Sequence, residues 1–234
     1  MFRVHPIGKN FVVNKISRDK KGNDTSVVAV YGPDLKVKKE LYKQDISENP
    51  KKFFIIPDTI QFTVYNERIY LENSKKGFVV EVFDAEGNLV STIKKNVKPI
   101  KLTNAHKERF MEEFKEDRLN KYNASHLGGM NAYLKNFKLL WPDDLPLIRT
   151  IIVSGDKIYL QTYIEKENKT EYVIMDINGN NQRSVFLPKV MLTPIAGRVI
   201  GYGIRLFDIE NDKFYYIVEN EDEEEWEVHV EKIE

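Results

Sequence analysis

The amino-acid sequence predicts an all-β fold: a β-propeller with four visible four-stranded antiparallel blades and one helical insertion. Three observations predict it. A strand-and-turn pattern recurs four times along the chain, and a second strand pattern follows three of those copies. The interval between the second and third copies is the longest, and the hydrophobic periodicity changes inside it.

The first pattern reads IGKNFVVN (7–14), NERIYLEN (66–73), GDKIYLQT (155–162) and NDKFYYIV (211–218). Each copy is a β-branched or aromatic run bounded by Gly, Asn or Asp, the residues of a strand leaving a tight turn. The second pattern reads VAVYGPDLK (28–36), VEVFDAEGN (80–88) and YVIMDINGN (172–180). Val80, Glu81 and Val82 alternate apolar and polar, as a half-buried strand does. Glu86-Gly87-Asn88 and Asn178-Gly179-Asn180 supply residues that tolerate positive φ, and Pro33-Asp34 does related work in the first copy. In the fourth copy Trp226, Val228 and Val230 give an alternating strand.

Phe11, Ile69, Ile158 and Phe214 hold the same place in the first pattern. The steps from Phe11 to Ile69 and from Ile158 to Phe214 are nearly equal. The step between them is longer by about one helix-containing insertion. Flanking candidates complete each unit: Ile60, Phe62 and Val64 precede the second copy and Leu89 to Ile93 follow it. One small twisted sheet cannot bury both faces alone, so such units stack face to face around an axis. The expected layout is a single domain over 1–234, with blades at 1–45, 55–97, 146–190 and 195–234 and the insertion at 103–140.

The paired motifs IYLEN (69–73) and VEVFDAEGN (80–88) resemble the NHL-like repeats of bacterial six-bladed β-propellers. The stretch FYYIVENEDEEEWEVHVEKIE (214–234) is similar to the closing blade of such proteins, and the likeness spans nearly all of the chain except the insertion. The resemblance implies an exported or lipid-anchored, extracytoplasmic protein, and in some relatives a metal or acidic residues at the channel. Six blades need more chain than is present here. An incomplete six-bladed ring, a small closed ring and an open arc completed by another copy are the three arrangements open to it. The first is preferred, because Met1 to Pro6 read as the middle of a strand. An incomplete ring would favour self-association.

Within the insertion, residues 104–122 form the best helix candidate, with Asn104 as N-cap and Phe110, Met111 and Phe114 on one face. Asp117 and Lys121 are spaced to pair along it. Leu127-Gly128-Gly129 breaks it, 132–140 reads as a second short helix, and Trp141-Pro142 and Leu145-Pro146 lead back into a strand over 148–153. The plain reading is a cap over one mouth or a cover for a blade edge. The sharper one is a lid over the central channel, with Tyr122, Tyr133 and Trp141 as candidate ligand contacts.

Composition narrows the function classes. Of 234 residues, 41% are hydrophobic and 31% charged, the balance of a globular chain. Lys plus Arg and Asp plus Glu are each 36, and zero net charge gives no support for nucleic acid or an anionic membrane as partner. Without cysteine there are no disulfides, thiolate metal sites or cysteine nucleophiles. No apolar stretch approaches the roughly 20 residues of a membrane span, and the N-terminus has no signal-peptide pattern.

His5, His106, His126 and His229 show no metal-ligand spacing, so no metal or cofactor is expected. Asp176 to Asn180 reads as a hairpin turn rather than a calcium loop, and the acidic run 219–227 as a solvated hairpin. Gly197, Gly201 and Gly203 are too irregular for a phosphate loop and suit a strand bend. No Gly-x-Ser-x-Gly elbow occurs, and the Asn-x-Ser/Thr triplets at Asn23, Asn123 and Asn168 are weak. Lys36, Lys38, Lys39, Lys43, Lys51 and Lys52 fit an edge strand guarded against aggregation. No residue is assigned a catalytic role. The expected function is a non-catalytic binding or interaction module for a protein, peptide or glycan. The alternative is a propeller hydrolase, lactonase or lyase acting at the central channel.

Overall fold

The computed structural model describes residues 2–18, 24–45, 52–56, 58–116, 118–136, 138–190, 206–220 and 225–234. The first sheet comprises β1 (Phe2–Ile7), β2 (Asn10–Arg18), β3 (Asp24–Tyr31) and β4 (Val37–Asp45). A short β5 (Lys52–Phe54) leads to the second sheet, β6 (Ile60–Tyr65), β7 (Arg68–Asn73), β8 (Val79–Phe83) and β9 (Leu89–Lys94). The insertion follows with β10 (Ile100–Lys101), α1 (Asn104–Glu116), α2 (Arg118–Ser125), α3 (Met130–Lys135), β11 (Lys138–Leu140) and β12 (Asp144–Leu145). The third sheet is β13 (Thr150–Ser154), β14 (Lys157–Lys166), β15 (Lys169–Asp176) and β16 (Arg183–Pro188). The fourth is β17 (Phe207–Glu210), β18 (Lys213–Asn220) and β19 (Glu225–Lys232).

Each of these four sheets is a simple antiparallel meander in chain order, and the four are arranged like the blades of a four-bladed β-propeller. Tight turns set the register. Asn66-Glu67, Gly155-Asp156 and Asn211-Asp212 all have both central residues at positive φ, the geometry that matches the twist of a two-residue hairpin. The residue after next in each hairpin is the repeat position read from the sequence. Phe11 pairs with Pro6, Ile69 with Val64, Ile158 with Val153 and Phe214 with Ile209.

This shared register divides the side chains between two faces. Ile69 packs toward the first sheet, Ile158 toward the second and Phe214 toward the third. Val12, Tyr70 and Tyr159, each one place after a repeat residue, point the other way, into the core shared with the following sheet. Three apolar cores therefore lie between successive sheets, and Ile69, Ile158 and Phe214 are fully buried. Phe11 and Tyr215, which hold the corresponding places on the two outermost faces, are half-buried. The outward face of the fourth sheet also presents Val228 at 68% exposure.

The turn after β8 shows why the repeat carries glycine. Asp84 Oδ1 accepts from the backbone N–H of Glu86 and Asn88 at 2.9 and 2.8 Å, and Asp176 Oδ1 accepts from Asn178 and Asn180 at 2.9 Å each. Gly87 and Gly179 close these turns at φ of 83° and 84°. Each also presses on the preceding sheet: a Cβ on Gly179 would stand 2.6 Å from Ile93, and one on Gly87 2.9 Å from Lys39. In the first sheet Leu35 takes this place with φ 59° and is well exposed.

The insertion departs from the sequence reading in three respects. Thr103, not Asn104, caps α1: its Oγ1 accepts from His106 N–H at 3.3 Å, and its own N–H donates to His106 Nδ1 at 3.2 Å. The helix expected over 104–122 is two, α1 and α2, and Lys121 pairs with Glu116; Asp117 lies outside the described residues. Residues 138–140 form a strand rather than helix, because β11 pairs in parallel with the distant β5. Phe110 and Phe114 are buried as their spacing predicts. The lysines at 36, 38, 39 and 43 lie on or beside β4, the outermost strand of its sheet. Gly197, Gly201, Gly203 and most of the acidic run's tip lie outside the described residues. No helix among the described residues is long and apolar enough to cross a membrane.

Candidate binding site beneath the helical insertion

The two ends of the sheets differ in chemistry. At the hairpin end, polar clasps bridge successive sheets. Asn10 Nδ2 donates to the Ala85 carbonyl at 2.8 Å, Tyr65 Oη lies 3.2 Å from Asp156 Oδ1, and Asp212 accepts from Lys157 and Tyr159. At the opposite end, where β6 and β13 begin, the chain places a cluster of buried polar and charged groups against the insertion.

The innermost strands of the second and third sheets meet there through Gln61 and Thr150. Thr150 Oγ1 donates to Gln61 Oε1 at 2.7 Å, and Gln61 Nε2 donates to the Arg149 carbonyl at 2.6 Å. Glu72 is the cross-strand partner of Gln61 on β7. It is 0% exposed, and neither carboxylate oxygen has a hydrogen-bond partner. Burial raises its pKa well above the usual carboxylate range. Gln161, paired with Thr150 across β13 and β14, is likewise buried with an unpartnered amide.

β14 carries the cluster outward. A register shift between Gln161 and Glu165 re-aims the strand beyond the regular ladder. Tyr163 lies in this stretch and packs into the apolar patch that Ile56, Phe110 and Leu145 form under α1. Its ring meets Phe110 edge-on at 6.1 Å, and the Arg149 guanidinium lies 5.5 Å from its centroid. Burial pushes its phenol up to about 12, against the lowering effect of Arg149 and with Glu72 and Glu113 adding to the rise.

Glu165 is the hub of the charges. Lys189 Nζ lies 2.9 Å from its Oε2, Arg109 Nη1 3.2 Å from the same oxygen, and Arg149 Nη1 3.7 Å from Oε1. Glu113 on α1 completes the network, in contact with Lys189 and 3.9 Å from Arg109. Arg109 and Glu113 come from α1, Arg149 from the entry to β13, and Lys189 from just beyond β16. The insertion is thus fixed to the third sheet by ions as well as by the apolar contacts of Phe110.

The aromatic residues expected to contact a ligand are not brought together. Tyr122 is 61% exposed on α2, edge-on to His126 at 4.5 Å. Tyr133 is buried inside the insertion, stacked with Phe114 at 6.3 Å. Trp141 packs on the Phe110 patch, with Lys107 6.0 Å from its ring. Of the three, Trp141 shares its patch with Tyr163.

The sequence reading passed over Glu72, Gln61, Arg149 and Glu165. A signal for Glu72 exists. Strand alternation puts it on the face of Tyr70, which is apolar and looks at the next sheet, so a carboxylate there is out of place. The ion network has no comparable signal, since its members come from four separate segments. The described residues contain no group of three or more His, Cys, Asp or Glu placed to hold a metal ion. Compared with known proteins, the chain matches no family model and no curated protein.

Proposed function

We propose that this chain is a non-catalytic binding module of β-propeller type that takes a protein, peptide or glycan ligand at the insertion-covered end of its blades. One observation carries the reading: Glu72 and Gln161 are fully buried and unpartnered, and the strand of Gln161 runs on to Tyr163 and Glu165, which meet Phe110 and Arg109 of α1. A buried polar group without a hydrogen-bond partner costs free energy, and long insertions in repeat folds gather at the functional face. Gln61 and Thr150, which meet between the inner strands, are an amide and a hydroxyl bonded to each other. That pairing supports binding over the hydrolase, lactonase or lyase alternative, which needs an activated water or nucleophile. The motif likeness supports a bacterial NHL-like repeat and an extracytoplasmic location. A six-bladed ring would add two more units, and the mass of the natural gene product tests that.

Trp141 offers a reporter, because it packs in the patch shared with Tyr163, and Trp226→Phe leaves it as the sole tryptophan. The Trp226→Phe chain is titrated with peptide and glycan panels while Trp141 emission and compound turnover are followed. Saturable emission changes without turnover are expected. Turnover of any panel compound would move the assignment to the enzyme class, and a silent Trp141 throughout would remove the site.

A further inference from the structure

We propose that the seam between α1 and the third sheet is an oxyanion site, taking a carboxylate or phosphate group on the guanidinium groups of Arg109 and Arg149. This rests on the binding reading above and names the chemical group the ligand would present.

The charge balance comes first. Three cations, Arg109, Arg149 and Lys189, converge on two carboxylates, Glu113 and Glu165. Neither carboxylate oxygen of Glu72 is hydrogen-bonded to any of the three. One positive charge is left in excess in a place where Arg149, Lys189 and Glu165 have side chains only 12%, 13% and 10% exposed. An uncompensated charge at that depth is costly, and a bound anion removes the cost.

Donor geometry comes second. A guanidinium group carries five N–H donors in a rigid fork. Arg109 Nε and Nη2 and Arg149 Nη1 are buried and have no hydrogen-bond partner. Both forks lie within 4 Å of the same Glu165 carboxylate, so the two groups are neighbours, and Arg149 is oriented by the Tyr163 ring. Arg109 Nε and Arg149 Nη1 face Glu113 and Glu165 at 3.9 and 3.7 Å, beyond hydrogen-bond reach, so the two adjacent forks keep donors that are not hydrogen-bonded; these suit a planar or tetrahedral oxyanion that offers two oxygens, and a lysine in either place would supply charge without the fork.

Access comes third. Arg109 and Glu113 ride on α1, whose Phe110 packs on Tyr163 of the third sheet while Phe114 packs within the insertion, whereas Arg149 lies at the entry to β13. A shift of α1 away from the third sheet would open the donors toward solvent while leaving the propeller cores in place.

The test uses the full Trp226→Phe chain, titrated with inorganic phosphate and separately with sodium acetate. Sodium chloride holds the ionic strength constant, and the thermal midpoint and Trp141 emission are read. Saturable stabilisation by phosphate or acetate over chloride is expected, with the apparent Kd raised at least tenfold in Arg109→Lys and Arg149→Lys. A response to phosphate alone points to a phosphorylated ligand, and a response to both points to a carboxylate-bearing one. Equal responses to all three salts, or equal Kd values in parent and lysine variants, would overturn the proposal. Arg109 is the more exposed of the two, so Arg109→Lys decides the matter if Arg149→Lys does not fold. Panel ligands that move Trp141 while oxyanions do not would sink this inference and leave the binding reading standing.

Discussion

Thr150 and Gln61, 89 residues apart in the chain, join the innermost strands of the second and third sheets through a buried 2.7 Å hydrogen bond. The Gln61 amide also satisfies the Arg149 carbonyl at 2.6 Å, so one side chain answers two groups of the neighbouring sheet. Gln61→Ala leaves a hydroxyl and a carbonyl without partners in a buried place. The expected loss is about 1–3 kcal/mol of stability, measured by urea denaturation with an unchanged m-value. A loss within error would show that the bond is not what couples the two inner strands.

Glu72 gives a pH signature. Its folded pKa lies above its unfolded value, so the folded state holds a proton that the unfolded state releases once pH passes the ordinary glutamate range. The contribution is therefore neutral in acid and turns destabilising as pH climbs from the unfolded pKa toward the folded one. The slope is up to about 1.4 kcal/mol per pH unit. Glu72→Gln removes this slope. The variant should match the parent near pH 4 and exceed it in stability at pH 7, with denaturation midpoints across pH as the measurement.

Glu165 anchors the insertion by its contacts with Arg109, Arg149 and Lys189. Glu165→Gln keeps the shape and removes the charge, leaving buried cations with less compensation. A loss of about 3–5 kcal/mol is expected. Limited proteolysis should then cut faster around Leu127 and Gly128, which are exposed in the break between α2 and α3. Unchanged cleavage there would mean that the apolar contacts of Phe110 hold the insertion without the ions.

Asp212 clasps the fourth sheet to the third by accepting from Lys157 Nζ at 2.6 and 2.8 Å and from Tyr159 Oη at 2.7 Å. The Lys157 hydrogen bond is the first cause of its lowered pKa, followed by that of Tyr159. The clasp is fully present above the unfolded aspartate pKa and is lost as pH falls through the lower folded one. Because both ion partners are about two-fifths exposed, at 38% and 41%, solvent screens the pair. Asp212→Asn should cost about 1 kcal/mol at pH 7, and thermal melts of parent and variant should converge as pH falls through the lowered folded pKa of Asp212.

Two apolar truncations separate the inner and outer faces of the sheets. Ile158 is fully buried between the second and third sheets, and Ile158→Ala should cost about 2–5 kcal/mol. Val228 is 68% exposed on the fourth sheet, and Val228→Ala should change stability by no more than about 0.5 kcal/mol. A large loss at Val228 in chemical denaturation would show that this face is covered in solution.

The sequence by itself determined the strands of the repeated pattern, their turns and their repetition. These are local matters: a two-residue turn needs positive φ, a half-buried strand alternates, and the repeat position at Phe11, Ile69, Ile158 and Phe214 recurs because each hairpin starts alike. The burial of Phe110 and Phe114 was legible for the same reason, from helical spacing. Tertiary structure decided everything that depends on distant partners. Residues 138–140 became a strand because β5 supplies its hydrogen bonds. Phe11 is less buried than Ile69 because each faces a different neighbour, which no repeat can encode. The candidate site is the extreme case. Arg109, Arg149, Glu165 and Lys189 are ordinary charges in their own segments, and become a buried network only when α1 is laid against the third sheet. Hydrogen bonding and periodicity act over a few residues and leave a trace in sequence; desolvation of a charge depends on what the whole fold places over it.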